Sequence, residues 1–218
     1  LADEINRGTP RTQTALLEAM QERQVTVDGD TRKLPEPFIV LATLNPIEME
    51  GTFPLPEAQL DRFMIRISLG YPTHGEESEI LQRFGDPTAH IPLESVISVE
   101  ELFEAQQSIP RVRFDDILTE YLLHIAEATR KTEEFQLGAS PRAALALYQA
   151  SKAWAAINGR GYVLPDDIKK LAIPILAHRM VMSSQSRLQG QLVNHVIERI
   201  VQQVPVPIER ESPVQRAN

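Results

Sequence analysis

LADEINRGTPRTQTALLEAMQE, residues 1–22, sets an acidic pair, Asp3-Glu4, between a short apolar start and a helical stretch. Leu1 and Ala2 read as the end of a buried strand, with the two carboxylates at its carboxyl end. A lone strand end has no sheet partner and little to bury, so the chain is expected to continue a domain whose earlier part lies outside it. From Thr9 to Gln24 the reading is helical. Pro10 suits the first helical position, and Ala15, Leu16, Ala19 and Met20 recur at helical spacing.

Working outward, Val25 and Val27 alternate with polar residues before Asp28-Gly29, which signals a hairpin. FIVLATLN, residues 38–45, is a continuous apolar run ending in a polar residue and predicts a strand buried on both faces. PEAQLDRF (56–63) predicts a short helix, and MIRISLGYP (64–72) another strand closed by Gly70 and Pro72. Strand and helix alternating in this way is the rhythm of a parallel α/β sheet. After Pro72 the texture becomes helical, in GEESEILQRF, VEELFEAQQS, FDDILTEYLLHIAEATRKT, PRAALALYQASKAWAAI and PDDIKKLAI. The expected organisation is an α/β part over 1–72, a linker with helices over 73–113 and a helical domain over 114–204. The Pro-rich tail, 205–218, is expected to be disordered or extended. No internal repeat is present.

Composition bounds the function. The 218 residues suffice for one large or two small domains, and 42% hydrophobic with 24% charged residues is ordinary globular material. No apolar run approaches the ~20 residues of a membrane span, so no membrane span is expected. The absence of cysteine excludes disulfides and thiolate metal sites and fits a reducing compartment, so the expected localisation is cytoplasmic. A net charge of −8, with an acidic excess on both sides of Pro72, argues against a generic nucleic-acid binder. The five histidines show no HExxH or clustered spacing.

In open α/β sheets ligands sit outside the carboxyl ends of strands. Asp3 and Glu4 are therefore placed for a metal–phosphate centre, Asp3 holding Mg²⁺ and Glu4 polarising a water. Acids also gather at helix starts, and the dipeptide alone leaves both readings open. Asn45 ends the next predicted strand, where an amide positions a water or touches a γ-phosphate; Asn-Pro is equally a turn pair. Arg62 lies in a short linking helix, a common place for a solvated arginine. Ser140 and Pro141 predict an N-cap and first residue, which puts Arg142 in the exposed first turn of a helix. A cation is slightly unfavourable there, and a phosphate would compensate. Trp154 and Tyr148 read as core, and LAHRM (176–180) as the interior of the helical domain, with His178 packed or hydrogen-bonded.

The combination LADEIN, FIVLATLNP, GTFPLPEAQLDRF and GASPRAAL, in this order from Leu1 to about Val204, resembles AAA+ ATPases and most closely the MoxR family. The resemblance implies a partial parallel αβα core followed by an all-helical lid. It implies Walker B roles for Asp3, toward Mg²⁺, and for Glu4, toward water, with ATP as the nucleotide. Asn45 matches sensor 1 and Arg62 the arginine finger that reaches a neighbouring subunit's ATP. Arg142 matches sensor 2, and the hairpin matches the insertion before sensor 1. Arg7 and Arg11 fall near the implied subunit interface, where a phosphate contact and a plain surface role are both open. A homo-oligomeric ring, a hexamer, and a client or partner with a von Willebrand factor A domain follow from the same resemblance.

One departure stands out. No G-x-x-x-x-G-K-[ST] loop occurs, and the dipeptide Gly-Lys is absent from the chain. The chain is therefore expected to be the C-terminal portion of such an ATPase, beginning at Walker B, and inactive by itself. Two rivals remain at this level: a non-catalytic interaction module of AAA+ shape, and a DNA-linked AAA+ ATPase.

Overall fold

The structure, a computed structural model, describes residues 1–45, 52–85 and 93–206. The expected tail beyond Val206, and parts of the segments joining Asn45 to Thr52 and Gly85 to Leu93, lie outside the described residues.

Local chemistry sets the first helix. Thr9 accepts the Thr12 N–H at its side chain and Pro10 follows, so α1 runs Pro10–Glu22. Arg23 ends it in the left-handed region at φ 53°. β1 (Gln24–Val27) and β2 (Asp30–Lys33) pair antiparallel across Asp28-Gly29, both at positive φ, as a two-residue hairpin turn requires.

The two predicted strands beyond the hairpin are corrected. Residues 38–45 form no strand; they make a single parallel bridge, Ala2 to Ala42. Three backbone bonds surround it: Ala2 N–H to Leu41 O at 2.8 Å, Thr43 N–H to Ala2 O at 3.0 Å, and Ile5 N–H to Thr43 O at 3.0 Å. A strand buried on both faces needs ladder partners and a covering layer. Among the described residues this run has one neighbour, and Ile39, Leu41 and Leu44 are exposed. Residues 64–72 have no ladder partner among the described residues either. The Arg66 N–H instead donates to Pro174 O at 2.8 Å.

Burial of one polar side chain ties this region together. Gln13, on α1, is 2% exposed, and its Nε2 lies 3.3, 3.2 and 3.0 Å from the carbonyl oxygens of Ile5, Gly8 and Phe53. A single amide thus links the acidic loop, α1 and the segment leading to α2 (Glu57–Leu60).

Two compact units result: Leu1–Arg66 together with the chain from Ser108 onward, and Ile67–Gln107. The second unit carries α3 (His74–Phe84) and most of α4 (Val99–Ser108). Each starts with a reciprocal cap, Thr73 with Glu76 and Ser98 with Glu101. Those bonds hold the Glu76 and Glu101 carboxyls below the usual range.

The helical part contains α5 (Asp116–Lys131), β3 (Phe135–Leu137), α6 (Pro141–Ile157), α7 (Pro165–Leu176), β4 (Val181–Met182), α8 (Ser184–Leu188) and α9 (Val193–Gln203). Small residues on α6, Ala143 and Ala150 with Leu147 between, form one buried face. Tyr121, Ile125, Leu147, Ile168, Ile175 and Ile197 fill the core. Asp167 is buried at the start of α7, where it accepts the Leu164 N–H and both guanidinium arms of Arg160. Tyr148 and Trp154 pack against this core, the first on Phe114 and the second beneath Lys170 Nζ. Two features escaped sequence reading. The short β3–β4 ladder pairs Phe135 with Met182, and α9 buries Val196, Ile197, Ile200 and Val201 at helical spacing. Among the described residues no helix is long and apolar enough to cross a membrane.

Ile168 is fully buried at the centre of this core. Ile168→Ala should therefore cost about 2–5 kcal/mol in urea unfolding. A loss below about 1 kcal/mol would mean that the α6–α7 packing described here is wrong.

Candidate functional site

Glu4 sits in the left-handed region at φ 45°, rare for a residue with a side chain. The turn redirects the chain so that both carboxylates face Thr43 and Asn45. Thr43 Oγ1 donates to Asp3 Oδ1 at 2.6 Å and accepts the Glu4 N–H at 2.8 Å. Asn45 Nδ2 donates to Glu4 Oε1 at 3.2 Å, and Arg7 Nε pairs with Glu4 Oε2 at 2.8 Å. Buried Asn6 donates from Nδ2 to Asn45 O at 3.4 Å. The structure thus brings Asp3, Glu4 and Asn45 into one cluster.

Sequence reasoning missed Thr43. Its signal was spacing: in an extended segment, residues two apart share a face, so Thr43 lies beside Asn45. Arg7, left outside the site by sequence, is a direct partner of Glu4.

The cluster's donor chemistry suits Mg²⁺ with a phosphate. Asp3 is exposed, and only its Oδ1 is engaged among the described residues. No group of three or more metal-ligating side chains occurs among them. A single carboxylate is the usual protein share for Mg²⁺, whose remaining ligands are phosphates and waters. Glu4 has both oxygens held, which fixes its carboxylate in direction.

A second cluster surrounds a cavity of about 330 Å³ lined by Asp61, Arg62, Arg142 and Arg179 together with apolar residues including Met20 and Leu145. Three arginines and one carboxylate line it, and two of the arginines contact that carboxylate. Arg179 is buried and its Nη1 donates to Asp61 Oδ1 at 3.1 Å. Arg142 Nη1 lies 3.6 Å from Asp61 Oδ2. Arg142 stands in the first turn of α6, where Ser140 Oγ accepts the Ala143 N–H at 3.1 Å. The anion that this helix start calls for is Asp61 in this structure, through a long and mostly exposed contact of small energy. Arg142 therefore shares a cavity with Arg62, and that lining includes none of Asp3, Glu4 or Asn45.

His178 backs the same cluster. Its Nε2 is 2.9 Å from Phe63 O and 3.3 Å from Arg179 Nε. Arginine only donates, so one Nε2 cannot serve both; the shorter contact assigns the proton to Nε2 and the bond to Phe63 O. Nδ1 is buried without a partner among the described residues. Burial lowers the His178 pKa, the Phe63 carbonyl and Asp61 oppose the shift, and the charges of Arg179 and Arg66 add to it. The ring is neutral at pH 7.

Comparison with known proteins finds two family models, and the second cluster draws residues from both. The ATPase family associated with various cellular activities (AAA) matches residues 1–65, and the AAA lid domain matches residues 127–200. A putative ATPase from Cytophaga hutchinsonii has a similar structure, with TM-score 0.88 and 38% identity over 95% of this chain and 66% of that one. A full-length MCM homologue from Methanopyrus kandleri, TM-score 0.52 at 22% identity over 82% of this chain and 37% of that one, shares the fold. The fold is that of an AAA+ core portion with a helical lid.

Among curated relatives, Chaperone MoxR1 of Mycobacterium tuberculosis is 40% identical over 95% of this chain and 57% of its own length. Protein YeaC of Bacillus subtilis, uncharacterized, is 45% identical over 97% of this chain and 66% of its own length. Protein MoxR of Paracoccus denitrificans is 31% identical over 94% and 66%. The chain belongs to the MoxR family of AAA+ ATPases, and it spans two thirds or less of the length of these relatives.

The neutral state of His178 carries a pH signature. Its folded pKa lies below the ordinary value of 6.5, so the unfolded chain binds more protons in the window just below 6.5. Stability then rises with pH there, and is lost as pH falls from 6.5 toward the folded value. His178→Gln keeps a donor for Phe63 O and removes the titration. It should flatten the stability–pH slope below pH 6.5 by at most about 1.4 kcal/mol per pH unit. An unchanged slope in urea titrations of the variant would contradict a buried neutral His178.

Proposed function

We propose that the protein carrying this chain hydrolyses Mg²⁺·ATP to remodel protein clients, as a MoxR-type chaperone ATPase working in a ring. One observation carries the reading: a Glu4 carboxylate fixed between Asn45 and Arg7, beside an Asp3 whose second carboxylate oxygen has no partner among the described residues. Residues 1–72 are then the later half of the AAA+ core, 73–113 a linker and 114–204 the lid. The Gly-rich phosphate loop, absent from this sequence, is supplied outside it.

Mg²⁺, when bound with ATP, neutralises charge on the phosphates; Asp3 would hold it, directly or through water. Glu4 accepts a proton from the attacking water, and its two anchored oxygens limit the directions in which it does so. Asn45 orients that water or the γ-phosphate. Arg62 and Arg142, in one cavity with an excess of positive charge, stabilise the charge that builds on the phosphoryl group. Because that cavity is separate from the acidic cluster, the two arginines act on the nucleotide of a neighbouring subunit. This motivates the homo-oligomeric ring, in which six subunits is the family expectation. A partner with a von Willebrand factor A domain and a cytoplasmic site of action belong to the same reading.

Glu4→Gln in the full-length protein preserves shape and the contact to Asn45 but cannot take a proton. It should keep ATP binding and lose about 10²–10⁴-fold in turnover. Normal steady-state hydrolysis by the variant would remove Glu4 from the mechanism.

A further inference from the structure

Arg62 follows α2, a helix of only four residues, which is too short to hold itself. The segment after it has no ladder partner among the described residues. The groups that do hold this segment come from the helical part. Arg179 Nη1 donates to Asp61 Oδ1 at 3.1 Å, and Nη2 donates to Phe63 O at 2.8 Å with Met64 O at 3.4 Å. His178 adds its bond to Phe63 O, and Pro174 O receives the Arg66 N–H. Arg62 is thus flanked on both sides by residues fixed from the turn that follows α7.

We infer that Arg179 is a positioning residue for the arginine finger: it transmits the placement of the lid to Arg62 through Asp61 and the carbonyls of Phe63 and Met64. This rests on the reading of Arg62 as the finger. The chemistry requires arginine here, since a planar fork reaches three acceptors at once whereas a lysine ammonium on a flexible stem does not. With 3% of its side chain exposed, the guanidinium has no solvent alternative to these acceptors. Asp61 also lies 3.6 Å from Arg142, but that contact is long and mostly exposed, so the placement of Arg142 does not depend on it.

The test uses full-length protein with Arg179→Lys, Asp61→Asn and Arg62→Ala, each alone, and each of the first two combined with Arg62→Ala. Steady-state kcat and KM for ATP are read, with thermal melting as the fold control. Misplacing a catalytic group by about 1 Å costs about 10²-fold, so Arg179→Lys should lower kcat by that order with KM nearly unchanged. In the Arg62→Ala background the same change should lower kcat no further. Should Arg179→Lys not fold, Asp61→Asn is expected to show the same pattern and carries the test. A normal kcat in Arg179→Lys, a rise in KM alone, or a further loss in the Arg62→Ala background would overturn the inference while Arg62→Ala itself stays inactive. A normal kcat in Arg62→Ala would overturn the finger reading, and this inference with it.

Discussion

A guanidinium shut away from water must be surrounded by acceptors, and removing any of them leaves a buried charge uncompensated, at a cost of several kcal/mol. Arg179 places its two Nη groups on one carboxylate and backbone carbonyls, all between Asp61 and Met64. The placement of Arg179 depends in turn on the helical core, because α7 and β4 flank the turn that bears it. Packing at Ile168 and Ile175 is thereby connected to the position of Arg62. A short segment with no ladder partner among the described residues is held by a part of the chain that packs around its own hydrophobic centre.

The acidic cluster rests on a different device. Its groups are local polar contacts: a positive-φ turn at Glu4, a Thr43 hydroxyl shared between Asp3 and the Glu4 N–H, and Asn45 with Arg7 on the Glu4 carboxylate. Gln13 secures the loop from beneath. One chain thus carries an anionic cluster fit for a metal–phosphate centre and, elsewhere, a cationic one fit for a transferring phosphate. In the proposed mechanism each is half of a site, and the halves meet between subunits.

Much of this was legible in the sequence where the signal is local. Thr9-Pro10 and Ser140-Pro141 mark helix starts through side-chain caps, and Asp28-Gly29 marks a turn through its positive φ, so α1, α6 and the hairpin lie as expected. The chain's membership in an ATPase family was legible through the order of several long motifs. The runs 38–45 and 64–72 misled, because an apolar run states a tendency to be buried, whereas a strand exists only where a neighbour supplies its ladder. The period of α9 was present in Val193, Val196, Ile197 and Ile200 and was passed over. Long-range pairing was beyond sequence: LAHRM reads as interior, but nothing in it indicates that Arg179 meets Asp61, 118 residues earlier. The grouping of Arg142 with Arg62 was hidden for the same reason.

The claim that the two clusters serve different nucleotides is tested most directly by mixing subunits. Full-length Arg62→Ala and full-length Glu4→Gln are each nearly inactive alone in this account. After confirmed subunit exchange, phosphate release is measured across mixing ratios. The account predicts activity above the sum of the separate variants at intermediate ratios, because some interfaces then pair an intact Arg62 with an intact Glu4. If no ratio exceeds that sum, Arg62 does not act across an interface, and the two-half-site account is contradicted.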